Sequence, residues 1–448
     1  MTQSPENLCH ALIDAAKAAG ADGADAMAAE GQSVSIEVRE GALEHAERSE
    51  GTDLGLRVFV GKQQALVSSS DARPETLIAM AERAVAMAKE APEDPYAGLA
   101  DPVQLIKDWD LAAFELEDTS PEPAPETLKN DALAAEAACQ AIDGISQVQS
   151  AGASYGTHSV HLAASNGFSG GYRRTSRSLS CVGIAGTGSG MERDHDGDSR
   201  TFHSDMRSAD EIGRTAGNRA VERLNARKPD TGSYPVLFDE RISSSLIGHL
   251  LSAVNGSSIA RGSSWLKDSM GEQVLPSNLS VIEDPFRPRI AGSRPFDGEG
   301  LATRRRAIIK DGMLTGWTLD LASARKLGLE SSGNAVRGIG SVPSPSNWNI
   351  ELTPGDQSRL DLIRGMGTGL LVTSMIGSTI NSNNGDYSRG ASGFWIENGE
   401  ITYPVNECTI AGNLRDMLMR IIPANDARTY LSRVVPSLLI EGMTLAGN

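Results

Sequence analysis

SSSLIGHLLSAVNG, from Ser243 to Gly256, is the stretch on which the reading of this chain turns. Leu246, Leu250 and Val254 recur at helical spacing, with Ile247 and Leu251 beside them, so the stretch reads as a buried helix. It carries one histidine, His249, with Ser244 and Ser245 one turn upstream. A zinc-protease helix has two histidines and a glutamate that activates water. Serine hydroxyls are poor zinc ligands and do not replace a carboxylate base near neutral pH. Positions five apart on an ideal helix are also rotated by roughly 140°, so Ser244 and His249 share no face unless the helix is distorted. Gly248 would ease such a distortion. Taken alone, His249 reads as a histidine at the edge of a core.

Working outward, the strand YPVLFDE leads into this helix, and beyond about Asn255 the chain reads as strands and turns. KDGML and ENGEI place Asp-Gly and Asn-Gly at hairpin tips, where positive φ is needed. FWIENGEITYPV is the strongest hairpin signal. Residues 229–448 are therefore expected to form a large β-rich domain of twisted, mostly antiparallel sheets. Residues 1–228 read as an α+β domain with an approximate repeat, 1–90 and 125–228, each unit a helix, an antiparallel meander and a closing helix. The helices fall at about Pro5–Ala19, Pro74–Glu90, Pro125–Ile142 and Ala209–Asn225. Ser4 before Pro5, and Ser208 with Glu211, are helix-start signals. Residues 91–125, rich in proline and acidic toward their end, read as a linker. The fold class is thus α+β, with two helix–meander–helix layers followed by twisted sheets.

Composition narrows the function. A net charge of −17 on 448 residues repels phosphate backbones, which argues against direct nucleic-acid binding. Arg304, Arg305 and Arg306 read as solvated arginines on an alternating strand. No run of about 18 apolar residues exists, so no transmembrane helix is expected. The N-terminus has neither the basic nor the apolar segment of a signal peptide. Cys9, Cys139, Cys181 and Cys408 are widely spaced and form no CxxC, which fits a reducing cytoplasm.

The remaining candidates carry bland readings. His158 and His161 point to opposite faces of one strand and do not chelate together. DHDGD, Asp194–Asp198, lacks the closing glutamate of a calcium loop and reads as an exposed acidic hairpin tip. GIAGTGSGM has no Lys-Ser/Thr and is no phosphate loop. No GxSxG elbow supports a serine hydrolase. NNGDYSRGASGFW gathers Asp386, Tyr387, Ser388 and Arg389 among glycines. It suits either a loop that binds a peptide main chain or a bulged turn between strands.

Longer motifs carry a resemblance. LIGHLLSAVNGSS, SRPFDGEGLATRRRAIIKDGML, SARKLGLESSGNA, GTGLLVTSMIGS, GDYSRGASGFWIENGEITYPVNE and TIAGNLRDM together resemble the TldD/PmbA family, in its PmbA (TldE) branch. The resemblance spans essentially the second half, with MERD at Met191–Asp194 extending it more weakly into the first. It implies a cytoplasmic peptidase built from two related chains. The TldD-type subunit carries an HExxxH helix and a late cysteine as metal ligands. Here Ser244 stands at the first histidine, Ser245 at the glutamate and His249 at the second histidine. VVPSLLIEGMTLAGN has no cysteine. The resemblance thus implies a metal-free, non-catalytic subunit, with zinc in a TldD-type partner. The pair would cleave unfolded or flexible peptides, as in leader-peptide trimming and antitoxin degradation. A homodimer is expected when the chain is alone. Extended substrate would add as a strand in a shared cavity, with Asp386, Tyr387, Ser388 and Arg389 as candidate contacts. An independent hydrolase, or a scaffold with no part in proteolysis, are the alternatives.

Overall fold

In the computed structural model, residues 4–448 are described. Helix α1 (Pro5–Ala18) starts where Ser4 Oγ accepts the Asn7 N–H, with Pro5 in the first turn. Strands β1 (Gly23–Arg39), β2 (Ala42–Val60) and β3 (Gln63–Ser69) form a meander closed by α2 (Pro74–Glu90). The second unit repeats this order: α3 (Pro125–Gln140), β4 (Ile145–Ala164), β5 (Ser169–Ala185), β6 (Glu192–Arg200) and α4 (Ala209–Glu222). At α4, Ser208 Oγ accepts the Glu211 N–H.

The two units join edge to edge. β1 pairs antiparallel with β4, from Asp25 opposite Ala164 to Val38 opposite Ala151. The result is one six-stranded sheet, ordered β3-β2-β1-β4-β5-β6. Alternation puts the even residues of β1 on the helical side along its whole length. Ala24, Ala26 and Ala28 pack with α1 and α2, while Val34, Ile36 and Val38 pack with α3. The small alanines let the first helix pair lie close to the sheet.

Strand β6 overturns one expectation. DHDGD is not an exposed tip but the middle of a strand. The strand is Glu192–Arg200, and His203–Asp205 is a single 3-10 turn. Asp194, Asp196 and Asp198 alternate onto one buried face. There they meet Arg223 at 3.5 Å, Arg219 and Arg207 at 2.8 Å each, and Arg200 at 2.8 Å. Three of those arginines come from α4 or the residues that flank its two ends, so most of the pairing that lets acids enter a sheet is invisible in the strand's own sequence.

Residues 91–125 cross to the second half. The Ile106 N–H donates to Gly300 O at 3.1 Å, and the Trp109 ring meets Phe296 edge-on at 5.1 Å. Beyond them, β7 (Gly232–Phe238) leads into α5 (Glu240–Ala253). Strands β8 (Gly369–Ile380), β9 (Asp386–Glu397), β10 (Glu400–Asn413) and β11 (Leu438–Ala446) join β7 in the principal sheet, in the order β10-β9-β8-β7-β11, with the two-residue strand Ile422–Pro423 outside β11. β10 pairs back onto β11 between Thr409–Ala446 and Ala411–Thr444, which closes the five strands into a barrel. The β7–β8 pair is parallel, and the other pairs are antiparallel.

Five short strands make a smaller mixed sheet: Met313–Leu314, Arg306–Lys310, Val281–Glu283, Ile350–Leu352 and Arg433–Val434. Asp311 and Gly312 have φ of 50° and 79°, and Asn398 and Gly399 have 54° and 78°, as the two hairpin signals required. Arg306 is not solvated. It pairs at 2.8 Å with Glu283, which is fully buried. Among the described residues, no helix is long and apolar enough to cross a membrane.

Candidate functional site

Helix α5 starts at Asp239, whose side chain accepts the Arg241 N–H. Ser243, Leu246, Ile247, Leu250 and Leu251 are buried, and the apolar ones join a core with Val236, Phe238, Leu370, Val372, Ile410 and Leu445. The opposite flank carries Ser244, Ser245, Gly248 and His249, all half-buried. Because the helix is regular, Ser245 and His249 share a face at i and i+4, and Ser244 is turned away from it.

Ser245 Oγ and His249 Nε2 are shielded from solvent and have no hydrogen-bond partner among the described residues. The His249 ring meets the Tyr387 ring edge-to-face, centroids 5.9 Å apart and planes at 70°. Burial, and then the nearby positive charge of Arg389, hold the imidazole below its ordinary pKa and keep it neutral. Arg389 donates from Nε to Gly377 O at 2.8 Å. Tyr387 is buried, donates its hydroxyl to Met375 Sδ at 3.3 Å, and is pushed up to about 12 by that burial. A second guanidinium, that of Arg433, lies over the flank: a Cβ on Gly248 would come within 3.1 Å of it.

The four residues expected around a peptide-binding loop lie instead on a barrel strand, β9. Gly390 and Gly393 serve close backbone approach there; a Cβ at Gly393 would sit 1.9 Å from Leu371 O. Alternation puts Tyr387 and Arg389 on the His249 side and Asp386 and Ser388 on the other. Asp386 is exposed and accepts from the side chains of Asn384 (2.7 Å) and Asn413 (3.1 Å). Met375 and Arg433 also border the site, and no local pattern marks either one, because each comes from a distant segment.

Cys408 is the cysteine nearest the C-terminus. Its thiol is buried, donates to Ala391 O at 3.2 Å, and is pushed up to about 11 by burial. A cleft of about 680 Å³ lies elsewhere, between the N-terminal sheet and the segment 430–432, bordered by Gln32, His158, Arg174, Arg200 and Arg289.

An acid-lined junction joins the two halves. Asp25 on β1 binds Arg57 on β2 at 3.0 Å and also pairs with Arg337, far along the chain; all three are buried. Glu299 and Asp297 lie close by, and Glu299 accepts the Leu321 N–H at 2.9 Å.

The fold is thus a helix-backed six-stranded sheet followed by a β-barrel that seats α5. Profiles of the PmbA/TldA metallopeptidase family match in three segments: domain 1 over residues 24–88, the central domain over 115–224 and the C-terminal domain over 231–447. The chain belongs to the PmbA/TldD metallopeptidase family. It is 38% identical over 430 residues to the metalloprotease PmbA of Escherichia coli O157:H7, covering 95% of this chain and 92% of that one. It is 37% identical over 425 residues to a PmbA homologue of Haemophilus influenzae, covering 93% and 90%. Among solved structures, TldE from Thermococcus kodakarensis superposes with a TM-score of 0.86 at 21% identity, covering 98% of this chain and all of that one, a likeness of fold.

Proposed function

We propose that this chain is the PmbA/TldE-type subunit, free of catalytic metal at α5, of a zinc metallopeptidase that cleaves unfolded or flexible peptides together with a TldD-type catalytic partner. One observation carries the reading. The flank of α5 that would hold zinc offers one imidazole nitrogen and the hydroxyl of Ser245, with Ser244 turned away. That donor set does not fit a zinc site, which takes three strong protein ligands. The guanidiniums of Arg389 and Arg433 beside it oppose a dication further. The 38% identity to a metalloprotease PmbA over nearly the whole chain supports a role within proteolysis rather than outside it.

The test is reconstitution. The purified chain, a TldD-type subunit and their mixture are each given an unstructured peptide. The expected result is no turnover by this chain and more turnover by the mixture than by the TldD-type subunit alone. Turnover by this chain alone that His249→Phe abolishes would favour an independent hydrolase. Equal activity with and without this chain would favour a non-proteolytic scaffold.

A further inference from the structure

His161, expected to have no ligand partner on its own strand, has one on a neighbouring helix. Glu6 and His10 lie at i and i+4 on α1, so they share a face. That face looks onto β4 at His161. One ligand atom from each of Glu6, His10 and His161 lies within 4.8 Å of the others. His10 Nε2 and His161 Nε2 both sit on Ser169 Oγ, at 3.2 Å and 2.9 Å. One hydroxyl has one proton, so it donates to one imidazole and accepts from the other. Both ring nitrogens therefore converge on the Ser169 hydroxyl, which an ion held between them would displace from one or both.

The two elements that bring them together are rigid. α1 is anchored by the buried Leu8, Cys9, Leu12 and Ile13. The Cys9 thiol donates to the backbone carbonyl of His161 itself, at 3.4 Å. The His161 ring is set from behind by Gly171, its register partner on β5: a Cβ there would come within 2.7 Å of Nδ1. The glycine lets the ring lie flat against β5 with Nε2 turned toward α1.

We propose that Glu6, His10 and His161 form a binding site for one divalent transition-metal ion. Two imidazoles and one carboxylate suit zinc, cobalt or nickel and leave at least one position for water. The ion would clamp the first helix to the strand that joins the two halves of the sheet. This site is independent of the His249 flank and of the function proposed above. It lies on the helical side of the N-terminal sheet, whereas His249 belongs to the barrel.

The full chain, stripped with chelator, is titrated with Zn(II) by calorimetry and with Co(II) by visible absorption. One ion per chain is expected, with a rise in melting temperature. His10→Ala and His161→Gln should each weaken binding by about tenfold or more, while His249→Phe leaves it unchanged. His10 is exposed, so its variant folds; if His161→Gln does not, Glu6→Gln takes its place in the comparison. No binding by the parent chain, or binding that survives both His10→Ala and Glu6→Gln, overturns the proposal. An ion lost only in His249→Phe overturns this proposal and the metal-free reading of α5 together.

Discussion

Glu299 is a buried carboxyl whose surroundings strengthen its hold on a proton. Burial pushes it up from 4.5 to about 8, and the charge of Asp297 adds to the effect. Asp297 is itself raised by burial to about 6. A raised carboxyl pKa means that the folded state holds a proton the unfolded chain has released. The stability this proton provides is complete below about pH 4.5 and falls as pH rises toward about 8. Glu299→Gln is expected to flatten that fall, so its urea midpoint should exceed the parent's near pH 8 and match it more closely near pH 5. Parallel pH profiles for the two proteins would refute a protonated Glu299. His249 makes the opposite case of a polar group without a partner among the described residues. A buried, unpaired nitrogen costs about 1–3 kcal/mol, so His249→Phe should hold or raise the melting temperature. A fall of several degrees would mean that Nε2 has a partner in solution. The sequence already displayed His249 flanked by serines, because donor type is a property of single residues. It gave no hint of Tyr387 and Arg389 at that ring, since strand alternation decides which two of Asp386, Tyr387, Ser388 and Arg389 face it.

At the scale of elements, helices were the most legible part. Ser4–Pro5 and Ser208 cap where the side chains said they would, and Asp-Gly and Asn-Gly turn where positive φ is needed. These signals act within a few residues, so no tertiary partner is required to read them. Strand β6 failed the same treatment because its aspartates are neutralised from α4. Helix α4 also carries a glycine whose role depends on its neighbour. Replacing a helical glycine by alanine ordinarily gains about 1 kcal/mol. At Gly213, however, a Cβ would lie 2.1 Å from Ala135 O, a backbone atom of α3 that cannot swing aside. Overpacking costs about 1–3 kcal/mol and wins here. Gly213→Ala is expected to destabilise the protein by about 2 kcal/mol in urea titration. Gly365→Ala, in the helix Arg359–Met366 with nothing within 4 Å, should be neutral or stabilising. If both variants behaved alike, contact between α3 and α4 would not be what constrains Gly213.

At the scale of the whole molecule, the N-terminal sheet and the C-terminal half are joined by buried charge. Burial opposes ionisation of Asp25, but Arg337 and Arg57 outweigh it and hold the carboxyl below its usual range. A lowered carboxyl pKa contributes stability that is present above about pH 4 and is lost as pH falls through the folded value. Asp25→Ala would leave two buried guanidiniums without the carboxylate they both bind and should cost about 3–5 kcal/mol. A loss below about 1 kcal/mol in equilibrium unfolding would show that water reaches the junction. Neither arginine was marked in the sequence, since Arg57 lies on an ordinary alternating strand and Arg337 in an irregular stretch. By itself, the sequence determined the helix–meander–helix order, the hairpin tips, the helical register of α5 and the donors it carries. All of these rest on local spacing, turn chemistry and residue type. Only the tertiary structure decided that β1 joins β4 in one sheet, that β10 closes the barrel on β11, that Asp194, Asp196 and Asp198 are buried, and that His10 meets His161. Each of these is a pairing between residues far apart in the chain. A strand's sequence fixes which of its faces is apolar, but its edges expose the same N–H and C=O groups whatever the side chains, so the choice of partner is left to the packing of the whole.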